Sequence, residues 1–237
     1  MTSSLHTVGL FVREPRPGGT KTRLAHSIGD QPAAALAKAF AEDFCARLRG
    51  EFVIQLFVAG DARSPWFASL CELAPKLQRE DALGARMRHA LDALAEGGHA
   101  RVLLGSDAPT LPTAYVHELF TALQGDVDVV LIPARDGGYV ALGVRAAVDA
   151  SFLEDPAIRY STEHACEDTR RAASLRGLSI VSLAPWYDVD VEADLRVLEA
   201  ELLVHPERAP RTQSLLSGGG GKTLGRKGSG GVKLPQR

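Results

Sequence analysis

Four short, continuously apolar runs set the terms for this chain: residues 7–12 (TVGLFV), 52–59 (FVIQLFVA), 102–105 (VLLG) and 127–132 (VDVVLI). Between them lie stretches with apolar residues at helical spacing, such as Ala35, Leu36, Ala39, Phe40, Phe44 and Leu48. A strand that is apolar on both faces must be covered on both faces. Alternation of such strands with helices through the first 130 residues predicts a parallel sheet with helices above and below it.

Punctuation residues place the remaining elements. Residues 14–24 hold two prolines and two glycines and read as a loop. Asp30 is expected to cap a helix that carries Pro32 in its first turn and stops at Gly50. Further helices are expected over 64–73, 83–95 and 112–123, then from Ser161 or Thr162 to about Arg176, and a last one, led into by residues 188–194, ends near Leu203. Residues 139–144 and 178–183 read as short strands. One domain over 1–204 is expected, followed by a basic, Gly/Ser-rich tail over 205–237 in which periodicity is lost and disorder is expected. The tail's Gly-Gly-Lys-Thr run is not a P-loop. Leu216 stands where that pattern needs glycine, and no strand precedes it.

Charge narrows the partners. The chain carries −2 overall, but residues 204–237 hold seven basic side chains and one acid, so the body before them is acidic. An acidic body is not that of a nucleic-acid binder, and it needs local cations or a metal ion to hold phosphate. Cys45, Cys71 and Cys166 are far apart and form neither a zinc-type pair nor a disulfide framework. The first apolar run is too short for a signal peptide, and no run is long enough for a membrane span. A cytoplasmic protein is expected, and no motif fixes its oligomeric state.

Five stretches can carry chemistry. Asp107 follows a buried strand, at the edge where open α/β sheets bind ligands. An acid there can equally cap a turn. Lys21 and Arg23 follow Gly18-Gly19, where the backbone can approach a ligand and two cations can hold phosphate oxygens. They are equally consistent with a solvated loop. Asp188 and Asp190 alternate along an extended segment, which places both carboxylates on one side. With Asp107 they offer the hard oxygen donors that Mg²⁺ or Mn²⁺ takes when phosphates complete its shell. Asp190 also suits an N-cap of the last helix. Asp136-Gly-Gly-Tyr139 reads as a ligand-contacting turn or a plain hairpin turn. Within Arg159-Tyr-Ser-Thr-Glu-His164 a carboxylate can act as a base, whereas His164 is expected to be structural or merely exposed.

Pro15-Arg-Pro-Gly-Gly-Thr-Lys-Thr-Arg-Leu-Ala25, Gly105-Ser-Asp-Ala-Pro109, Asp136-Gly-Gly-Tyr139 and Asp188-Val-Asp-Val-Glu-Ala-Asp-Leu195 occur in this order. Together they resemble the GT-A nucleotide-diphospho-sugar transferase superfamily, most of all a bacterial family of arsenosugar-biosynthesis glycosyltransferases. The resemblance spans residues 7–203. Val191-Glu192 departs from that family's Thr-Pro, and Tyr160 from its usual Trp.

The resemblance implies a single Rossmann-like α/β/α domain with a mostly parallel sheet. It implies Asp107 and Asp190 as metal ligands, with Asp188 in reserve, for Mg²⁺ or Mn²⁺. Lys21 and Arg23 would hold phosphates, with Ser106, Gly137, Gly138, Tyr139 and Thr162 as further substrate contacts. The implied partners are a nucleotide-linked donor, either NDP-sugar or NTP, and a small-molecule acceptor. In glycosyl transfer, taken first, Glu163 or Asp136 would activate an acceptor hydroxyl. The first loop also resembles that of 2-phospho-lactate guanylyltransferases. There a phosphorylated substrate attacks an NTP and pyrophosphate leaves, a reaction that a cationic loop suits. A non-catalytic nucleotide-binding protein on the same fold is the third alternative.

Overall fold

The computed structural model describes residues 6–79, 82–95 and 98–218. Its centre is a seven-stranded sheet in the order β3-β2-β1-β4-β6-β5-β7. The strands are β1 (Thr7–Arg13), β2 (Val53–Ala59), β3 (Lys76–Leu77), β4 (Arg101–Gly105), β5 (Val129–Pro133), β6 (Tyr139–Val144) and β7 (Ile180–Ser182). Leu10 of β1 lies between Leu56 and Leu104, and pairing there is parallel on both sides. β6 is the exception. It runs antiparallel to both β4 and β5, with Leu142 opposite Leu103 and Leu131. The expected α/β fold with a mostly parallel sheet is borne out.

The apolar strands are covered on both faces, as their composition demands. Leu10, Leu56, Leu104 and Ile132 pack beneath α2 (Asp30–Leu48) and α5 (Thr113–Leu123). Phe57, Leu103, Leu131 and Leu142 pack on the other face against α4 (Leu83–Leu94), a 3₁₀ turn at Ala150–Glu154 and α6 (Ala165–Leu175). A third core joins α1 (Thr22–Ile28), α2 and α7 (Glu192–Val204) around Phe40, Tyr187 and Val189. A short α3 (Pro65–Leu70) closes the β2 side.

Four expectations need correction. Residues 22–24 are not loop but the start of α1, which Lys21 enters from a left-handed conformation with φ 52°. Prolines and glycines just upstream hide so short a helix. α6 begins at Ala165 rather than at Ser161 or Thr162. Ser161, with φ 61°, lies in a turn ahead of the helix, and His164 takes the cap position. Val191, not Asp190, is the N-cap of α7, and a valine side chain accepts no hydrogen bond. Asp194 instead ties down the entry to the helix, accepting from the N–H groups of Asp190 at 3.0 Å and Val191 at 2.9 Å.

The fourth correction concerns the tail. Order continues past residue 204 through a 3₁₀ turn at Pro206–Arg208 into α8 (Pro210–Gly218), which packs on α2. Its attachment is polar. The buried Asp43 accepts from Arg211 N–H, Thr212 N–H and Thr212 Oγ1, at 3.0, 2.8 and 2.8 Å. Apart from Leu216, which packs on the third core, the helix docks through polar contacts, and these leave no apolar stripe in the sequence. The tail beyond residue 218 lies outside the described residues.

Candidate functional site

The carboxyl ends of β1, β4 and β5 open on one edge of the sheet, with the turn into β6 beside them. That is where ligand crevices form in open α/β sheets. A cleft of about 690 Å³ lies there. Its wall includes Arg13, Thr22, Arg23, Asp107, Asp136 and Gly138, and apolar side chains such as Phe11, Leu83 and Met87.

The extended segment after β7 carries two of the acids. Val189 is fully buried and Tyr187 nearly so. Alternation therefore turns Asp188 and Asp190 the other way, onto the cleft wall. Val189 N–H donates to Asp107 O at 3.0 Å, which ties this segment to the end of β4. From the β5–β6 turn, Asp136 completes a cluster: Asp136, Asp188 and Asp190 each offer an oxygen within 4.8 Å of the others. Asp136 Oδ1 also accepts from Gly138 N–H at 2.9 Å. Burial, with Asp136 and Asp190 nearby, pushes the Asp188 carboxyl up to about 6.

Three carboxylates gathered on a cleft wall form the hard oxygen set that suits Mg²⁺ or Mn²⁺. Asp136 joins Asp188 and Asp190 in this group, while Asp107, expected among the ligands, pairs with Lys21 beside it. Lys21 Nζ lies 2.8 Å from Asp107 Oδ1 and 2.9 Å from Asp190 Oδ1, with its side chain only 4% exposed. Burial alone would lower the ammonium's pKa. Asp107 and Asp190 outweigh it and hold the group above its ordinary range. Lys21 is therefore spent on binding acids together. Arg23 is exposed, with Nη1 3.8 Å from Asp190 Oδ2.

Of the residues singled out in the sequence, Arg23, Asp107, Asp136, Gly138, Tyr139, Asp188 and Asp190 meet on the cleft wall. Lys21 and Ser106 border an adjoining recess of about 250 Å³ that shares Arg13 and Asp107 with the cleft. Gly137, Thr162 and Glu163 are not on these walls. Gly137 has φ 88° and meets the Glu163 backbone so closely that a Cβ would lie 2.0 Å from the Glu163 carbonyl oxygen. Thr162 Oγ1 donates to Arg159 O at 2.7 Å. Glu163 is exposed beside His164, 3.6 Å away. Tyr139 donates to Met87 Sδ, and burial pushes its hydroxyl up to about 12.

Sequence reasoning assigned no site role to Arg13, Thr22 or Ser161, which line the cleft with Tyr160. Arg13 ends β1 as Asp107 follows β4, so the same strand-end argument would have found it. Ser161 gave no such signal. Its place depends on a fork from Arg159 Nε and Nη2 to Asp168, at 2.8 and 3.0 Å, which holds the 159–161 loop over the cleft.

Residues 28–162 match the family described as "Uncharacterized protein conserved in bacteria (DUF2064)". The chain is 32% identical over 174 residues to a 3-phospho-D-glycerate guanylyltransferase of Phenylobacterium zucineum (strain HLK1), a match covering 68% of this chain and 74% of the relative. Among solved structures, a candidate nucleotide-diphospho-sugar transferase from Desulfovibrio desulfuricans G20 superposes with a TM-score of 0.82 at 30% identity, over 91% of this chain and 95% of the other. A CMP:2-keto-3-deoxy-manno-octonic acid synthetase solved with CTP superposes with a TM-score of 0.54 at 12% identity, over 85% and 100% of the two chains. At that identity the likeness is one of fold.

Proposed function

The chain belongs to the DUF2064 family of proteins conserved in bacteria, and on that footing we propose that it is a divalent-cation-dependent nucleotidyltransferase. It joins an NTP to a small phosphorylated acid and releases pyrophosphate. The observation that carries this reading is the state of the cleft's acids. Asp107 and Asp190 share Lys21, and Asp136, Asp188 and Asp190 are grouped closely enough to share one cation. With a cation held there, these acids serve as ligands rather than as a base for an acceptor hydroxyl, and Glu163 stands off the wall. A phosphate acceptor is already an anion near neutral pH and needs no base. Its transfer chemistry rests on positioning and charge.

Each residue then has a part. Asp136, Asp188 and Asp190 hold the Mg²⁺ or Mn²⁺ ion, which when bound offsets the charge of the donor phosphates and the leaving group. Lys21 keeps Asp107 and Asp190 at fixed spacing. Arg13 and Arg23 meet donor phosphate oxygens. The 32% identical guanylyltransferase supports the reading and makes GTP the first donor to try. The sequence placed glycosyl transfer first by a narrow margin; the grouping of the acids and the guanylyltransferase relative support the opposite order.

Glycosyl transfer from an NDP-sugar stays as the second reading, favoured by the Desulfovibrio protein of TM-score 0.82. One assay separates the two. The protein with Mg²⁺ is given each NTP plus phosphorylated acids such as 3-phospho-D-glycerate, and in parallel NDP-sugars plus hydroxyl acceptors. Pyrophosphate that appears only when the phosphorylated acid is present is the expected result. Release of a nucleoside diphosphate with a sugar-bearing product would sink the proposal.

A further inference from the structure

Tyr187, immediately before Asp188, ends in a polar knot beneath the cleft. Its hydroxyl donates to Glu201 Oε2 on α7. Thr110, fully buried on the β4–α5 loop, donates from Oγ1 to the same oxygen at 3.0 Å and lies 3.1 Å from the Tyr187 hydroxyl. The other oxygen, Glu201 Oε1, accepts from Arg208 Nη1 at 2.7 Å, so its charge is balanced from the chain's C-terminal extension. The outer face of the Tyr187 ring carries the Arg135 guanidinium at 5.2 Å.

This knot joins the parts that the acidic cluster needs in register. Thr110 belongs to the loop that carries Asp107. Tyr187 leads the segment that carries Asp188 and Asp190, and Arg135 precedes Asp136. The segment is thus held at three levels: Tyr187 to Glu201, Val189 N–H to Asp107 O at 3.0 Å, and the N–H groups of Asp190 and Val191 to Asp194. Only the first hold reaches both the Asp107 loop and α7 from one carboxylate, whose side chain is 14% exposed. Hydrogen bonds to a charged acceptor in a dry setting are the strong ones.

We propose that Glu201 is a positioning residue for the acidic cluster, fixing residues 187–190 against the end of β4 and so setting how Asp188 and Asp190 face Asp136. The inference rests on the reading of that cluster as a divalent-cation site. It adds a dependence of cation affinity on a carboxylate that does not line the cleft.

The test uses the full chain and its Tyr187→Phe, Glu201→Gln and Glu201→Ala variants. Amide hydrogen exchange at Val189 is read without metal, Mn²⁺ affinity by electron paramagnetic resonance, and thermal midpoint alongside. Tyr187→Phe keeps the ring and removes only the hydroxyl. It should speed Val189 exchange and weaken Mn²⁺ binding, each roughly tenfold, while the midpoint falls by only about 3–6 °C and the protein stays folded. Glu201→Gln keeps a carbonyl acceptor and should restore most of the affinity that Glu201→Ala loses. Unchanged exchange and affinity in Tyr187→Phe would overturn the proposal, as would equal loss in Glu201→Gln and Glu201→Ala. Should the unmodified protein bind no Mn²⁺, the cation reading falls, while Val189 exchange still decides whether Glu201 holds the segment.

Discussion

Lys21 Nζ stands 2.8 Å from Asp107 Oδ1, although the two residues come from different loops and the lysine is almost wholly buried. A second carboxylate oxygen, from Asp190, lies 2.9 Å from the same nitrogen. Removing the cation leaves two facing acids uncompensated at one end of the cleft. Lys21→Met should therefore destabilise the metal-free protein by about 2 kcal/mol, below the cost of breaking a fully buried pair because both acids are part-exposed. Urea unfolding reads the loss. Added Mg²⁺ should recover more stability in the variant than in the parent. A variant as stable as the parent would show that the bridge is incidental.

The regrouped acids yield a ranking. Asp136→Asn and Asp188→Asn remove members of the cluster, whereas Asp107→Asn removes a partner of Lys21. Mn²⁺ affinity should fall by more than about 100-fold in the first two and by about tenfold in the third, the scale of an outer-shell change. Titration by electron paramagnetic resonance measures all three. A loss in Asp107→Asn as large as the others would return Asp107 to the role of direct ligand that the sequence suggested.

Two adjacent glycines separate backbone demand from side-chain demand. Gly137 has φ 88°, and a Cβ there would meet the Glu163 carbonyl oxygen at 2.0 Å. At Gly138 the nearest atom is the movable Asp136 Oδ1, at 3.1 Å. Gly137→Ala should cost roughly 3 kcal/mol of stability. Gly138→Ala should cost less in denaturation but should weaken cation binding by displacing Asp136. Equal stability losses would contradict the assignment.

The elements that were legible in the sequence are those whose burial is apolar. β1, β2, β4 and β5 announced themselves because both faces are covered by side chains such as Leu10, Leu56, Leu104 and Leu131. The antiparallel direction of β6 left no such trace, since apolarity does not encode direction. α8 was missed because it docks through Asp43, a charged residue on an otherwise apolar helix face. At the site, strand-end reasoning located Asp107, and alternation located Asp188 and Asp190. The burial of Lys21 was invisible. A lysine in a Gly-rich loop reads as solvated, and its pocket is built by acids distant in sequence.

The docking of α8 bears on a tail that reads in the sequence as disordered and would then be dispensable to stability. Asp43 is 2% exposed and accepts three hydrogen bonds from Arg211 and Thr212. Deleting 206–237 strands that carboxylate and also removes Arg208 from Glu201. A loss of about 3 kcal/mol or more is expected by urea unfolding. Adding Asp43→Ala to the truncated chain should restore part of it, because the stranded charge is then gone. An unchanged midpoint on deletion would support the original expectation.

The Arg159–Asp168 pair sets a pH dependence at the far side of the cleft. Hydrogen bonds from the Arg159 side chain and N–H hold the Asp168 carboxyl at about 2. An unfolded aspartate titrates near 3.9. Because the folded pKa is the lower one, the pair's contribution is complete above about pH 4 and is lost as pH falls through about 2. The 159–161 loop should therefore loosen in acid, reporting as faster amide exchange at Tyr160 and Ser161 once intrinsic exchange rates are divided out. In Asp168→Asn the neutral amide still fills the space but no longer binds a guanidinium as a charge. That variant should show the loosened loop at every pH, with the acid-dependent step gone. An acid step that survives in Asp168→Asn would assign the loop's closure to some other carboxylate.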